Sequence, residues 1–148
     1  MSEHLLLISI GPVQAFIAEA RRTRDLWFGS HVLSEIAKAA ARAIVNETDN
    51  PKCLVFPAPQ SLSDLKPSDE PLRDGVAPLN VANKILAVVP AADSKSIAEK
   101  ARAAAADRWR SFANTVWNKW SGDEALAKGV TQAVWNAQIE SLLEFHAA

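Results

Sequence analysis

The residues that come nearest to a chemical pattern lie at a strand-to-helix junction close to the N-terminus. An apolar run, Leu5–Ile10, is followed by Gly11-Pro12 and then by a helical pattern. The free N–H groups and the positive dipole end at a helix N-terminus suit a phosphate. A single glycine stands at this turn, however, and neither G-x-G-x-x-G nor G-x-x-x-x-G-K-[ST] occurs. The spacing therefore favours a structural turn over a phosphate-binding loop.

The densest group of cations in the chain follows this junction and consists of Arg21, Arg22 and Arg24. The pattern predicts a helix from Pro12 to about Asp25, with these arginines in its last turns, where cations complement the helix dipole. One interpretation is a solvated helix end with ion pairs to Glu19 and Asp25. The other is a contact to an RNA backbone or to a partner subunit. The residues alone favour the first.

Other kinds of chemistry find less support. Cys53 is the only cysteine and lies in an apolar run, which indicates an inert thiol and excludes a disulfide framework. Ser9, Ser30 and Ser34 have no evident histidine and acid to form a nucleophilic triad, and His31 is interpreted as a packing or surface residue. Metal-assisted phosphoryl transfer needs carboxylates at strand ends, and none follows the first strand. We therefore predict no catalytic residue and no metal ligand.

Aromatic residues in the C-terminal half could stack on nucleic-acid bases. They are Trp109, Phe112, Trp117, Trp120 and Trp135. Helical spacing places Trp109, Phe112 and Val116 on one stripe, so a role in the core is favoured.

The composition indicates one soluble domain. The chain has 148 residues, 49% of them hydrophobic, and a formal net charge of −1. This balance argues against attraction of nucleic acid or anionic lipid by the whole surface. No apolar run approaches the roughly 20 residues of a membrane span, and the N-terminus lacks a signal-peptide pattern. We expect a cytoplasmic protein.

The element pattern combines short strands with longer helices. Strands are predicted at Leu5–Ile10, buried on both faces, and at Cys53–Phe56 and Lys84–Val89. After an interruption at Leu26–Gly29, a second helix is predicted from a Ser30 cap to about Val45.

A third helix is predicted from Asp93 or Ser94, and a fourth after Asp123. The third has a buried stripe at Ile97, Ala101, Ala105, Trp109, Phe112 and Val116. The fourth carries the spacing Leu126, Val130, Val134, Ala137 and Ile139. Residues 141–148 are ambiguous between a helix end and a strand.

This order predicts an α+β domain with the ferredoxin-like, split βαβ arrangement and extra helices. Residues 57–79 are predicted to form an exposed, proline-rich loop. The last strand would begin at the end of the chain. We therefore expect residues 1–148 to be a single domain with a truncated last strand, cut from the N-terminal part of a longer protein.

Three segments carry a resemblance to a known family. ISIGPVQAFIAEARRTRDLWFGSHVLSEIAKAA resembles the N-terminal signature of the large subunit of type III-B CRISPR effector complexes, the Cmr type. NKILAVVP and VWNAQIESLLEFHAA are similar to later segments of that family. The resemblance covers nearly the whole chain. It implies the first of two palm domains related to adenylyl cyclases.

The resemblance implies an activity for the full-length parent that this chain does not itself encode. In the family a second palm carries a Gly-Gly-Asp-Asp motif and makes cyclic oligoadenylates from ATP, with Mg²⁺, when target RNA is bound. That motif, the family's zinc-binding cysteines and a His-Asp nuclease pair do not occur here. The implied role is a non-catalytic palm in antiviral defence. Its partners would be the second palm, other effector subunits, guide RNA and target RNA, with no membrane.

The resemblance also implies which residues lie nearest the ATP cleft. Those that match the signature there are Ser9, Gly11, Pro12, Gln14, Gly29 and Ser30. Arg21, Arg22, Arg24, Asp25 and Trp27 match it too, with no role assigned beyond an RNA or partner contact for the arginines. Two alternatives remain: a purely structural module that binds no nucleotide, and a local RNA-backbone-binding domain.

Overall fold

The computed structural model describes residues 2–67, 79–123 and 128–148, which form an α+β fold as predicted. The strands are β1 (Glu3–Gly11), β2 (Leu54–Phe56), β3 (Lys84–Pro90) and β4 (Glu144–Ala147). The helices are α1 (Val13–Glu19), α2 (Thr23–Thr48), α3 (Ser94–Trp120) and α4 (Gln132–Leu142). Short 3-10 turns occur at Pro51–Cys53 and Leu62–Leu65. The ambiguous C-terminal segment thus contains both a helix end and a strand.

The four strands form one sheet in the order β2-β3-β1-β4, and all neighbours are antiparallel. β1 lies in the interior of the sheet between β3 and β4. Leu7 of β1 stands opposite Leu86 of β3, and Ser9 stands opposite Lys84. On the other side, Ser9 faces His146 of β4.

One face of the sheet is covered by helices. Leu6, Ile8 and Ile10 alternate along β1, are buried, and join a core cluster with residues of α2 and α3. The residues between them point the other way, and Leu7 is 45% exposed. The prediction that β1 is buried on both faces is therefore wrong. Its continuous apolar run reflects cross-strand packing of Leu7 and Leu86 on an open face.

The helical layer is built on small side chains. Ala37, Ala40 and Ala41 of α2 and Ala101 and Ala105 of α3 are fully buried in the core. Small residues at these positions allow helices and sheet to approach closely. The predicted stripe of α3 is confirmed at Ile97, Ala101 and Ala105.

Further along α3, the buried position is Ala113 and not Val116, which is exposed. Trp109 and Phe112 are half-buried and pack against the core, as predicted. Val134, Ala137 and Ile139 of the predicted spacing lie in α4, Val130 precedes it, and Leu126 lies outside the described residues; no residue of α4 is buried. The indole Nε1 of Trp109 donates a 2.8 Å hydrogen bond to the Ile139 carbonyl and ties α4 to α3.

The helix boundaries near the N-terminus differ from the prediction. α1 ends at Glu19, and α2 runs without interruption through Gly29 and Ser30. Ser30 therefore does not cap a helix. Gly29 is buried where α1 crosses α2, and an added Cβ would lie 3.2 Å from Phe16 Cδ1. The glycine marks a close helix–helix approach, and packing there outweighs its poor helix propensity.

The segment between α2 and β3 contacts the rest of the domain at two points, Leu65 and Val81. Leu65 is fully buried in the core, although most of residues 57–67 are exposed or half-buried. The Ser34 hydroxyl accepts a 2.8 Å hydrogen bond from the backbone N–H of Val81. Residues 68–78 of the predicted exposed loop lie outside the described residues. Within the described ranges, no helix has the length and apolar character needed to cross a bilayer.

Candidate functional site

The uncovered side of the sheet carries a short polar row next to an apolar area. We define the open sheet face by the side chains that strand alternation places opposite the helices: Leu5, Leu7, Ser9, Lys84, Leu86, Val88, Glu144 and His146. Ser9 is flanked by Lys84 on β3 and by His146 on β4. Glu144 stands opposite Gly11 at the end of β1.

The polar row has the chemistry of an anion contact. Lys84 supplies an ammonium group, Ser9 a hydroxyl, and His146 an imidazole, all of which can donate hydrogen bonds to a phosphate oxygen. Lys84 and His146 are exposed. Sequence reasoning missed both residues because their placement depends on strand register. The signal that would have found them is the alternation of β3 and β4 once Ser9 had been assigned to the open face.

The described residues offer no metal site. They contain no group of three or more His, Cys, Asp or Glu side chains that could hold a metal ion. Cys53 is buried within the core cluster, and its Sγ accepts a contact from the Thr48 hydroxyl at 3.3 Å. Glu144 does place a carboxylate across from the end of β1, although the sequence shows no acid following that strand.

The residues implied to lie near an ATP cleft fall into two groups. Ser9 and Gly11 belong to β1, and Pro12 and Gln14 lie at the start of α1. Gly29 and Ser30 belong to α2, in the helical layer on the opposite side of the sheet.

The two groups also differ in their relation to a cavity of about 340 Å³, because only the second group contributes a lining residue. Ser30 lines it together with apolar residues of α1 and α2 and with Asn83. Ser9, Gly11, Pro12 and Gln14 are not among its lining residues. Ser30 and the β1–α1 residues therefore do not line this cavity together.

The strand-to-helix junction is held by two hydrogen bonds between Ile10 and Asn83. Asn83 donates its side-chain N–H to the Ile10 carbonyl at 2.9 Å, and Ile10 N–H donates to the Asn83 carbonyl at 2.8 Å. The helix that follows has seven residues and starts at Val13, one residue later than predicted. Such a short helix carries little dipole, which favours a structural turn over a phosphate-binding one at this junction.

The arginines do not lie in the last turns of a helix, because α1 ends at Glu19 with Ala20 as its C-cap, so that prediction is wrong. Arg21 and Arg22 lie in the link between α1 and α2, and Arg24 lies in the first turn of α2. Arg22, the N-cap residue of α2, and Arg24 stand at the positive end of the dipole of α2, which does not stabilise cations. Asp25 compensates: its Oδ2 accepts a 3.0 Å hydrogen bond from the backbone N–H of Arg22.

A buried charged cluster joins α2 to α3, and sequence reasoning did not predict it. Lys38 Nζ lies 2.7 Å from Glu35 Oε1, and both residues are buried. Arg108 of α3 reaches the other carboxylate oxygen, with Nη2 3.5 Å from Oε2. The signal in the sequence is the spacing of His31, Glu35 and Lys38 on the face that also carries buried apolar residues.

His31 extends this cluster into an aromatic environment. Its ring lies parallel to the Trp27 ring at 6.0 Å and meets Phe112 edge-on at 6.4 Å. Burial lowers the pKa of His31 below its ordinary value, and Lys38 and Arg108 lower it further against an opposing effect of Glu35. The folded structure therefore favours the neutral form of His31.

We expect the free energy of unfolding to decrease as the pH falls below about 6.5, the ordinary pKa of histidine. Because the folded pKa of His31 is lowered, the unfolded chain binds the proton more readily below that pH. The contribution is complete above the unfolded pKa and is lost as the pH falls toward the folded pKa. Urea denaturation of the wild type and His31→Phe over this range measures it.

Below about pH 6.5, the free energy of unfolding of His31→Phe should depend less on pH than that of the wild type. His146→Gln is the matched control, because His146 is an exposed histidine far from the cluster in the chain. It should keep the wild-type dependence. Identical pH profiles for wild type and His31→Phe would contradict the assignment.

Two comparisons with known proteins agree with the resemblance seen in the sequence. A family model described as CRISPR-associated protein Cmr2, N-terminal, matches residues 5–114. The chain is also 36% identical over 102 residues to the CRISPR system Cmr subunit Cmr2 of Pyrococcus furiosus. That alignment covers 65% of this chain and 11% of the relative. The chain therefore spans a small part of the curated relative's length.

The family match includes β1 and β3 of the open sheet face, the arginine cluster and the buried charged cluster. It covers well over half of the chain, and it confirms the suspected relation to the Cmr-type large subunit. The chain belongs to the family of the N-terminal part of the CRISPR-associated protein Cmr2.

Proposed function

We propose that this chain is a non-catalytic, ferredoxin-like palm domain of a Cmr2-type large subunit in a type III-B CRISPR complex. Its open sheet face would lie against a second palm of the same subunit and contribute to an ATP site between the two. Assembly with other subunits around guide RNA and target RNA, in the cytoplasm, would be its second role. The parent subunit would make cyclic oligoadenylates with ATP and Mg²⁺.

The observation that carries this proposal is the one-sided cover of the sheet. The strand order β2-β3-β1-β4 with antiparallel neighbours is the order expected of a split βαβ fold. Both long helices contribute to the core on the face of Ile8 and Ile10. The other face keeps Leu5 and Leu7 exposed beside a polar row, which suits a partner with a bound polar ligand.

Within this proposal the residues divide by role. Ser9, with Lys84 and His146 beside it, would contact phosphate oxygens, and Gly11, Pro12 and Gln14 would border the same end of the sheet. Gly29 and Ser30 support α1 from the helical layer, so we assign them a structural part in shaping the junction. Mg²⁺ would be held chiefly by the second palm.

Calorimetry with ATP tests the nucleotide role on a subunit that contains this domain and the second palm. Lys84→Ala removes a cation from the polar row, so we expect the affinity for ATP to fall about 10-fold. Lys95→Ala is the control, because Lys95 is an exposed lysine in the first turn of α3, in the helical layer. An unchanged affinity in Lys84→Ala would contradict the ATP role.

A purely structural role is the second candidate, and the apolar part of the open sheet face favours it. Leu5 is 66% exposed, and Leu7, Leu86 and Val88 lie beside it. If the face serves only for docking, Leu7→Asp should prevent the two palms from associating while Lys84→Ala leaves ATP binding intact. In either case, this chain alone with ATP and Mg²⁺ should yield no cyclic product.

A further inference from the structure

We propose that the surface at the start of α2 binds single-stranded nucleic acid, with phosphates on arginines and a base stacked on Trp27. We call it the arginine–tryptophan surface and define it by Arg21, Arg22, Arg24, Trp27 and Phe28. It lies in the helical layer, away from the open sheet face. The proposal is therefore independent of the proposed nucleotide role.

The guanidinium groups on this surface are available to a ligand. The Arg24 side chain is 77% exposed, and its Nε lies 3.8 Å from Asp25 Oδ1, at the limit of an ion pair. Asp25 already accepts the backbone N–H of Arg22 through its other oxygen. Within the described ranges, no ion pair of the Arg21 or Arg22 side chain is found, and both residues are exposed. The surface thus has three cations, and the carboxylates of Asp25 and Glu19 lie next to it, beside Phe28.

Two aromatic rings are exposed next to these arginines. Trp27 is 48% exposed and Phe28 is 51% exposed. Arg24 precedes them by three and four residues, so all three side chains lie on the same side of the helix. The Trp27 ring lies over the buried His31 ring, with the planes 10° apart. The contact with the buried imidazole restrains the indole, and about half of Trp27 stays accessible to solvent.

Cations beside exposed aromatic rings are the components of a surface for unpaired nucleotides. Backbone phosphates bind the cations, and bases stack on rings with little sequence preference. A protein partner fits less well, because burying three guanidinium groups in its interface would require as many acids to compensate for desolvation. Phosphates and base faces are common to RNA and DNA, so a surface that uses these two contacts should bind strands of both kinds alike.

Fluorescence anisotropy with labelled oligouridine and oligothymidine of about 12 nucleotides tests the proposal on this chain. We expect both oligonucleotides to bind. A plot of the logarithm of the binding constant against the logarithm of the salt concentration should have a slope of about −2, which corresponds to three phosphate contacts. Trp27→Ala should weaken binding about 10-fold or more. The triple variant Arg21→Gln/Arg22→Gln/Arg24→Gln should lose most of the salt dependence.

A matched control distinguishes binding at this surface from non-specific binding through charge or exposed aromatic rings elsewhere. Trp120 is 43% exposed and has Lys119 Nζ 5.1 Å from its ring, so Trp120→Ala removes a comparable cation–aromatic pair elsewhere. It should bind like the wild type. Absence of binding at about 50 mM salt would overturn the proposal and favour a protein partner. Equal losses in Trp27→Ala and Trp120→Ala would overturn it too, as would binding of one oligonucleotide alone.

Discussion

Replacing Glu35 with alanine is expected to lower the free energy of unfolding by about 3–5 kcal/mol. Its carboxylate contacts Lys38 at 2.7 Å and Arg108 at 3.5 Å, and Lys38 is buried. Without the carboxylate, the Lys38 ammonium loses its compensating charge in the interior. Urea denaturation of the wild type and the variant at neutral pH measures the difference.

A second glutamate on the same helix provides the control. Glu47 pairs with Lys100 across the same two helices, but this pair lies at the surface. Exposed pairs contribute about 0–1 kcal/mol, so Glu47→Ala should have a small effect. Similar losses for the two variants would show that Glu35 and Lys38 are solvated in solution.

Truncating Ile8 to alanine should lower the free energy of unfolding by about 2–5 kcal/mol, because the side chain is fully buried and leaves a cavity. Leu7 is its neighbour in β1 and points to the open sheet face. Leu7→Ala should therefore have a much smaller effect, below about 1 kcal/mol. Comparing the two variants shows which face of β1 packs against the hydrophobic core.

A large loss in Leu7→Ala would mean that the open sheet face is covered when this chain is alone in solution. Sedimentation of the wild type would then distinguish a dimer from a monomer. With Leu7 exposed in a monomer, thermal unfolding of Leu7→Ala should stay close to the wild type and that of Ile8→Ala should not.

The interior strands and the stripe of α3 could be predicted because burial leaves a local pattern. The runs at Leu5–Ile10 and Lys84–Val89 are apolar and end at Gly-Pro or Pro, and both form strands. Ile97, Ala101 and Ala105 recur at helical spacing and are buried. In each case, a few neighbouring residues carry the information.

The rest depended on contacts between distant parts of the chain. Nothing local shows that Leu7 faces solvent while Ile8 faces the helices, since both are apolar. Gly29 reads as a helix break, yet Phe16 packs against it and the helix continues. For the candidate site, Ser9 was identified from its motif. Lys84 and His146 required the register of two more strands.

The buried charged cluster also bears on the order in which the chain folds. Glu35 and Lys38 are three residues apart on one helix, so they can pair as soon as that turn of α2 forms. Arg108 is 73 residues further along and reaches Glu35 only when α3 docks. Two opposite charges that are already paired form a dipole, which costs less to bury than either charge alone. When α3 docks on α2 and water leaves the space between them, Glu35 and Lys38 are therefore already paired. Their pairing is a local contact and needs no long loop to close first.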